Sequence, residues 1–258
     1  MARHRPRSGR SQPSPRRVKA ALCVTCLIDQ FFPHVGEAAV KVLRRLDVDV
    51  SFPEQQTCCG QIAFNGGYRA EATAVARRFL DIFAGDDYVV VPSGSCASMI
   101  KVFYAELFQG DEATLERVRQ LVARTYEFTE FLTEVLEVDD VGAKFSGSVT
   151  YHDGCHALRE LRIKQGPRAL VAAVEGAELR EMEASEACCG FGGLFSVKFP
   201  EVSGAILDEK LRHVEATGAR AVVTTDCGCV MHMAGAMRRR ALDTRALHIA
   251  ELLAGEGG

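Results

Sequence analysis

The triplet Cys-Cys-Gly occurs twice in this chain, at Cys58-Cys59-Gly60 and at Cys188-Cys189-Gly190. A lone cysteine precedes each triplet, Cys26 and Cys155, and a further cysteine follows each, Cys96 and Cys229. From one copy to the other the offset is 129 residues for the upstream cysteine, 130 for the pair and 133 for the downstream one. Scattered cysteines would not keep that register, so the chain reads as one soft-metal site built twice. Adjacent cysteines suit a single tetrahedral ion poorly, because such sites favour a spacer between paired ligands. Neighbouring side chains tend to point apart, which suits a cluster in which each thiolate takes a different metal atom. The glycine closing each triplet allows a positive φ or a close backbone approach. A helix predicted soon after each triplet would turn its free amides toward thiolates and toward a cluster's negative charge.

Ten cysteines in 258 residues admit disulfides, metal or redox catalysis. Disulfide scaffolds are usually small, exported and poor in core, whereas this chain is long enough to bury a core and shows no export signal. The expectation is a cytoplasmic protein whose thiols are metal ligands. No apolar run approaches the ~20 residues of a membrane helix. Any single cysteine is by default a small buried hydrophobe, and Cys23, inside a strand-like run, fits that reading best. Cys23 and Cys227 lie outside the repeat and stand as candidate extra ligands. Structural zinc is the rival to a redox cluster. His152, His156 and His232 lie near the cysteines as proton donors, hydrogen-bond donors to sulfur or occasional ligands, or simply as polar loop residues. Gly66-Gly67 and Gly192-Gly193 complete neither a Walker nor a dinucleotide fingerprint, so no flavin or nucleotide is expected.

The elements that must position these residues alternate strand, loop and helix. Lys19–Val24 is a strand-like run leading to Cys26. Val35–Leu46 has helical spacing, and Val48-Asp49-Val50 opens a second strand. Arg69–Phe83 is a helix with Ala72, Val75, Ala76 and Phe79 inward. Tyr88–Val91 is a strand stopped by Pro92 before Ser93-Gly94-Ser95-Cys96, and further helix follows, including Phe128–Leu136. The second half repeats the order. A strand at Val149–Tyr151 runs into Asp153-Gly154-Cys155, then come a helix near Pro167–Val174 and a strand near Ala177–Met182. After the second triplet follow a helix at Pro200–Thr217, a strand at Ala221–Thr225 and a helix at Val230–Arg239. The segments Tyr126–Leu132 and Leu247–Leu253 also echo one another. The predicted fold is α/β, two pseudo-symmetric repeats of parallel-sheet units, with the metal site on loops at the C-terminal edges of the strands. The first repeat spans 18–138 and the second 147–258, with Asp139-Asp140 and Gly142–Gly147 interrupting the pattern between them.

The formal net charge of −3 hides an asymmetry. Residues 1–17 hold six arginines and no acid, and the remainder carries 25 basic against 34 acidic groups. The arginines lie among Ser, Pro and Gly without apolar periodicity, which reads as a disordered basic tail rather than a nucleic-acid arm.

The order Cys, Cys-Cys-Gly, then a cysteine after a strand, given twice, resembles the cysteine-rich CCG-domain family. Its members include the heterodisulfide reductase B subunit and the iron–sulfur subunits of glycolate and anaerobic glycerol-3-phosphate dehydrogenases. Pro92-Ser93-Gly94-Ser95-Cys96, Cys188-Cys189-Gly190-Phe191-Gly192-Gly193 and the overall length most resemble the short lactate-utilization branch. The resemblance covers about residues 18–254 and implies ligation of iron–sulfur clusters by Cys26, Cys58, Cys59 and Cys96, and by Cys155, Cys188, Cys189 and Cys229. It further implies one or two [4Fe–4S] clusters and a role in L-lactate oxidation beside at least one other iron–sulfur subunit. The alternatives it implies are a glycolate or glycerol-3-phosphate dehydrogenase subunit, or a heterodisulfide-type reductase. A zinc-stabilised scaffold is the reading from another class. The fuller family pattern ends each copy in Cys-x-x-Cys. Here Ser93 and Asp226 stand three residues before Cys96 and Cys229, leaving four cysteines per copy, a number that suffices for a [4Fe–4S] cluster.

Overall fold

Short β-branched and alanine-rich runs, each followed by a loop and an amphipathic helix, build the parallel units that the pattern predicts. The computed structural model describes residues 17–85 and 87–255; the basic tail therefore lies, up to residue 16, outside the described residues. Among these, eight strands form two four-stranded sheets: β1 (Lys19–Leu22), β2 (Asp49–Ser51), β3 (Tyr88–Val91), β4 (Thr125–Glu127), β5 (Lys144–Tyr151), β6 (Glu175–Leu179), β7 (Ala221–Thr224) and β8 (Arg245–His248). The strand orders are β2-β1-β3-β4 and β6-β5-β7-β8, with every neighbouring pair parallel. The order reverses between β1 and β3, and again between β5 and β7. In open parallel sheets such reversals create a crevice outside the strands' carboxyl ends. No helix among the described residues is long and apolar enough to cross a membrane.

The alternation of side chains along each strand divides the interior into three cores. Ala20, Leu22 and Val90 of the first sheet and Val149, Tyr151, Ala221 and Val223 of the second share one central core. The helix Pro33–Arg45 lays Val35, Ala38, Ala39, Val42 and Leu43 into it, packing against the helix Ile249–Ala254 of the other half. Arg45 adds donors across that boundary, reaching Val141 O and Leu253 O at 3.0 and 3.1 Å. The opposite faces of the sheets carry separate outer cores, one holding Cys23, Cys59 and Cys96 and the other Cys189 and Cys229. Helix Gly94–Ser98 crosses helix Cys155–Arg159 so closely that a Cβ on Gly94 would lie 2.7 Å from that of Ala157.

Several details differ from the expected elements. The strand expected at Val149–Tyr151 already begins at Lys144, within the stretch Gly142–Gly147 read as an interruption, and the strand expected near Ala177–Met182 is Glu175–Leu179. β4 and β8, of three and four residues, are strands where the sequence showed only matching segments, because so short a run carries too little alternation to register. The helix expected over Phe128–Leu136 opens with a short α turn and widens into a π-helical turn at Phe131–Val135. The helix expected from Val230 begins at Cys227, which puts Cys227 and Cys229 in its first turn.

Both echoing segments are buried capping boxes. Glu127 accepts from Thr129 N at 2.8 Å while Glu130 accepts from Glu127 N at 3.0 Å. His248 accepts from Ala250 N at 3.1 Å while Glu251 accepts from His248 N at 2.8 Å. Burial pushes the Glu127 carboxyl up to about 7 and the His248 imidazole down to about 4. The depressed histidine contributes stability that is present above its ordinary value near 6.5 and lost as pH falls through about 4. The raised carboxyl acts in the other direction, its contribution present below 4.5 and lost as pH rises through about 7. Replacing His248 by Asn keeps a good cap and removes the titration. Between pH 7 and 4 the H248N variant should therefore lose less stability than the parent, by up to about 3 kcal/mol. Urea unfolding across that range is the check, and parallel pH profiles would discard the assignment.

Candidate metal centre

Each cysteine of the repeat stands just beyond the C-terminal end of a strand. Cys26 opens the helix Cys26–Phe31 after β1, Cys58 and Cys59 follow β2, and Cys96 lies in the first turn of Gly94–Ser98 after β3. The thiols of Cys26, Cys58, Cys59 and Cys96 interact in that order, each with the next. In the second half Cys155 opens Cys155–Arg159 after β5, Cys188 and Cys189 follow β6, and Cys229 lies in the helix Cys227–Arg239 after β7. The same order of interactions runs Cys155, Cys188, Cys189, Cys229, with the last two sulfurs 3.1 Å apart. Both quartets line a single cleft that lies between the halves. All ten cysteines are free thiols.

The closing glycine of each triplet has the conformation that its identity suggests. Gly60 and Gly190 take φ of 87° and 89°, where an L-residue is strained. In that turn the Gly60 N–H donates to Cys58 Sγ at 3.3 Å and the Gly190 N–H to Cys188 Sγ at 3.2 Å. A Cβ on Gly190 would also lie 2.5 Å from Ser203 O. A buried hydroxyl pins each triplet from behind: Tyr104 OH donates to Cys59 O at 3.0 Å, and Ser203 OH to Gly190 O at 2.8 Å.

These contacts set the protonation pattern. Hydrogen bonds from the Cys26 and Cys59 thiols hold Cys58 far below the usual thiol range, and Cys155 and Cys189 do the same for Cys188. The donors are correspondingly raised, as are buried Cys23 and Cys227. Cys229 is drawn down to about 7, first by the Cys189 thiol and against its own burial, with the charge of His152 assisting. Cys58 and Cys188 are thus the first thiols of their quartets to ionise, and metal binding would displace the protons that remain. Soft sulfur donors in vicinal pairs, partly buried and served by backbone N–H groups, fit a soft metal or a cluster.

The two positions at which the fuller family pattern has an extra cysteine meet across the pseudo-symmetry axis. Ser93 caps the helix of Cys96, its hydroxyl accepting from Cys96 N at 3.3 Å. Asp226 caps the helix of Cys229, its Oδ1 accepting from Gly228 N at 3.0 Å. The other oxygen of Asp226 accepts from Ser95 N at 2.9 Å and from Ser93 OH at 3.2 Å. Gly94 N completes the bridge by donating to Thr225 O at 3.3 Å.

The remaining candidates separate. Cys227 is buried in the central core. Cys23 is buried under the first quartet. His156 Nδ1 lies 3.5 Å from Cys155 Sγ, whereas His232 turns to Ser203 Oγ at 3.1 Å. His152 is wholly buried beside Cys189 and Cys229. Two positioning groups escaped the sequence reading. Lys210 is buried, its ammonium donating to Ala184 O and Ser185 O at 2.8 and 3.2 Å ahead of the second triplet. Its place on the stripe Ser203, Leu207, Lys210, Leu211, Val214 was the available signal. Arg168 grips Asp153 with both guanidinium nitrogens, at 2.7 and 2.8 Å, and so fixes the loop that leads to Cys155.

Parallel sheets read at their switch points, with a thiol quartet on each, define a cysteine-rich domain given twice. Residues 20–101 and 149–234 each match the cysteine-rich (CCG) domain, and the chain belongs to that family. It is 43% identical over 237 residues to lactate utilization protein A 2 of Bacillus cereus (strain 03BB102), covering 92% of this chain and 98% of that one. It is 46% identical over 236 residues to lactate utilization protein A of Geobacillus thermodenitrificans (strain NG80-2), with the same coverage. A hypothetical protein from Helicobacter pylori, 13% identical, superposes with a TM-score of 0.57 over 96% of this chain and 51% of its own, and shares the fold alone.

Asp226 joins two helix starts and both halves, so its truncation should weaken more than one cap. D226A should lower the stability of the metal-free protein by about 1–3 kcal/mol, since several N–H groups lose their acceptor. D226N keeps one acceptor oxygen and should cost less. Urea midpoints of the three proteins decide it, and an unchanged D226A would show that the bridge is idle.

Proposed function

We propose that this protein is an iron–sulfur electron-transfer subunit of an L-lactate oxidation complex, working in the reducing cytoplasm and passing electrons from lactate toward an acceptor. The observation that carries the reading is the pair of contacting thiol quartets, one per repeat, on a single cleft. The relatives named for lactate utilization supply the substrate. Cys26, Cys58, Cys59 and Cys96 would hold one cluster and Cys155, Cys188, Cys189 and Cys229 the other. A bound [4Fe–4S] cluster supplies a one-electron store whose potential follows its charge, hydrogen bonds and exposure. The chain's part is to present thiolates, to donate the Gly60 and Gly190 N–H groups to sulfur, and to bury the quartets between its halves. Removal of hydrogen from lactate falls to partner subunits, at least one of them another iron–sulfur protein.

One observation favours a second reading. His152, Cys189 and Cys229 form a compact triad of the kind that binds structural zinc, which would make the protein a scaffold. Anaerobic purification separates the two. The expected content is about four or about eight iron atoms per chain with matching acid-labile sulfide. With two clusters, C59S and C189S should each remove about half of the iron, and L-lactate should reduce the clusters within the assembled complex in preference to glycolate. Stoichiometric zinc, with negligible iron after anaerobic reconstitution, would refute electron transfer.

A further inference from the structure

The two halves place different residues at one equivalent position beneath their thiols. Cys23 and His152 are 129 residues apart, the spacing that also separates Cys26 from Cys155. Each comes directly after the last residue of its strand, β1 or β5. Each donates its backbone N–H to the neighbouring strand, Cys23 to Val90 O and His152 to Val223 O, both at 2.9 Å. The preceding residues, Leu22 and Tyr151, face the central core, so strand alternation turns Cys23 and His152 to the outer side. There Cys23 packs in one core with Cys59 and Cys96.

His152 has no exposed surface. Its donor atom and the sulfurs of Cys189 and Cys229 all lie within 4.8 Å of one another. Neither ring nitrogen makes a hydrogen bond of good geometry among the described residues, and Cys229 is the group with which the ring interacts. An imidazole carries a donor and a lone pair, and leaving both unanswered in a buried place is costly. Lys210, Asp153 and His232, three further titratable groups near the second quartet, have protein partners. A buried imidazole beside two thiols is a donor set that zinc and iron both accept.

We propose that His152 is a ligand of the metal centre in the second repeat, at the position that Cys23 occupies in the first, so that the two centres differ in donor set. This rests on the quartets holding metal, as proposed above. A neutral imidazole at the position where the first repeat has a thiol adds no negative charge to the ligand shell, and where histidine stands for cysteine on iron–sulfur clusters the potential rises. The second centre is then the more easily reduced, and an electron entering at the first repeat runs toward the second.

The test uses the full chain, purified anaerobically with ¹⁵N-labelled histidine, reduced, and read by pulsed electron paramagnetic resonance, with iron, sulfide and zinc measured on the same samples. The expected result is a strongly coupled histidine nitrogen that vanishes in H152A and H152C and survives in H156A and C23A. H152C should retain iron and sulfide while the midpoint potential of the second centre falls. Full iron and sulfide without that coupling, or a coupling that follows His156, overturns the inference and leaves the electron-transfer reading standing. Zinc in place of iron removes the electron-transfer reading, and X-ray absorption at the zinc edge then decides the ligand. A nitrogen scatterer lost in H152A supports His152, and an all-sulfur shell overturns it. A chain that holds no metal under either condition overturns both.

Discussion

Four thiols in mutual contact cannot all ionise in a poorly solvated cleft. Two unit charges 4 Å apart repel by about 4 kcal/mol at the effective dielectric of a protein surface, and Cys189 and Cys229 stand closer than that. The rest of the structure is organised around that repulsion. Without metal the thiol that ionises first in each quartet is Cys58 or Cys188, served by hydrogen bonds from neighbouring thiols and from the glycine N–H behind it. With metal the repulsion becomes the binding energy, since cations neutralise thiolates that the fold has already brought together.

Bringing them together is the work of the sheets. A thiol on one loop would be free to turn away. Here each lies on a loop or helix start that follows a strand of a parallel sheet, and the inner strands β1, β3, β5 and β7 are paired on both sides. The cores also explain why the site lies between the halves. Because the two sheets share the central core, their switch points open toward one cleft rather than toward separate surfaces. The contact between Ser93 and Asp226 ties the two rims directly. A cysteine pair at these positions would have put two more acidic thiols at the axis; a hydroxyl and a carboxylate instead cap two helices and hold the halves in register.

Much of this was legible because the signals were local. The strand Tyr88–Val91 agrees residue for residue, and the helices Arg69–Ile82 and Pro200–Ala216 agree to within one residue at their ends, since apolar periodicity and Pro92 or Pro200 mark them. The cysteine register gave the repeat, and parallel-sheet logic placed the thiols at one edge. What stayed hidden depended on tertiary contacts. β4 and β8 are too short to show alternation and exist because β3 and β7 supply partners. Lys210 looks like a surface residue until the carbonyls of Ala184 and Ser185 are seen to receive it. His152 looks like a polar loop residue because burial by sequence-distant thiols leaves no trace in its neighbours along the chain.

The two halves, alike in topology, have diverged in electrostatics, and the divergence is one-sided. Beneath the first quartet lie Cys23, Leu80 and Tyr104, groups that bring no positive charge. Around the second lie His152, Lys210 and the Arg168–Asp153 pair. Lys210 is held by carbonyls rather than by a carboxylate, and burial pulls its ammonium down while the nearby Cys189, Cys229 and Asp153 oppose that shift. A cluster of given type is easier to reduce where the field is more positive. Two copies of one fold, lining one cleft, therefore surround their thiol quartets with unequal fields. That inequality requires no difference in backbone: it follows from a few side chains set under otherwise equivalent loops, which is where a repeat can specialise without disturbing the sheets that position its thiols.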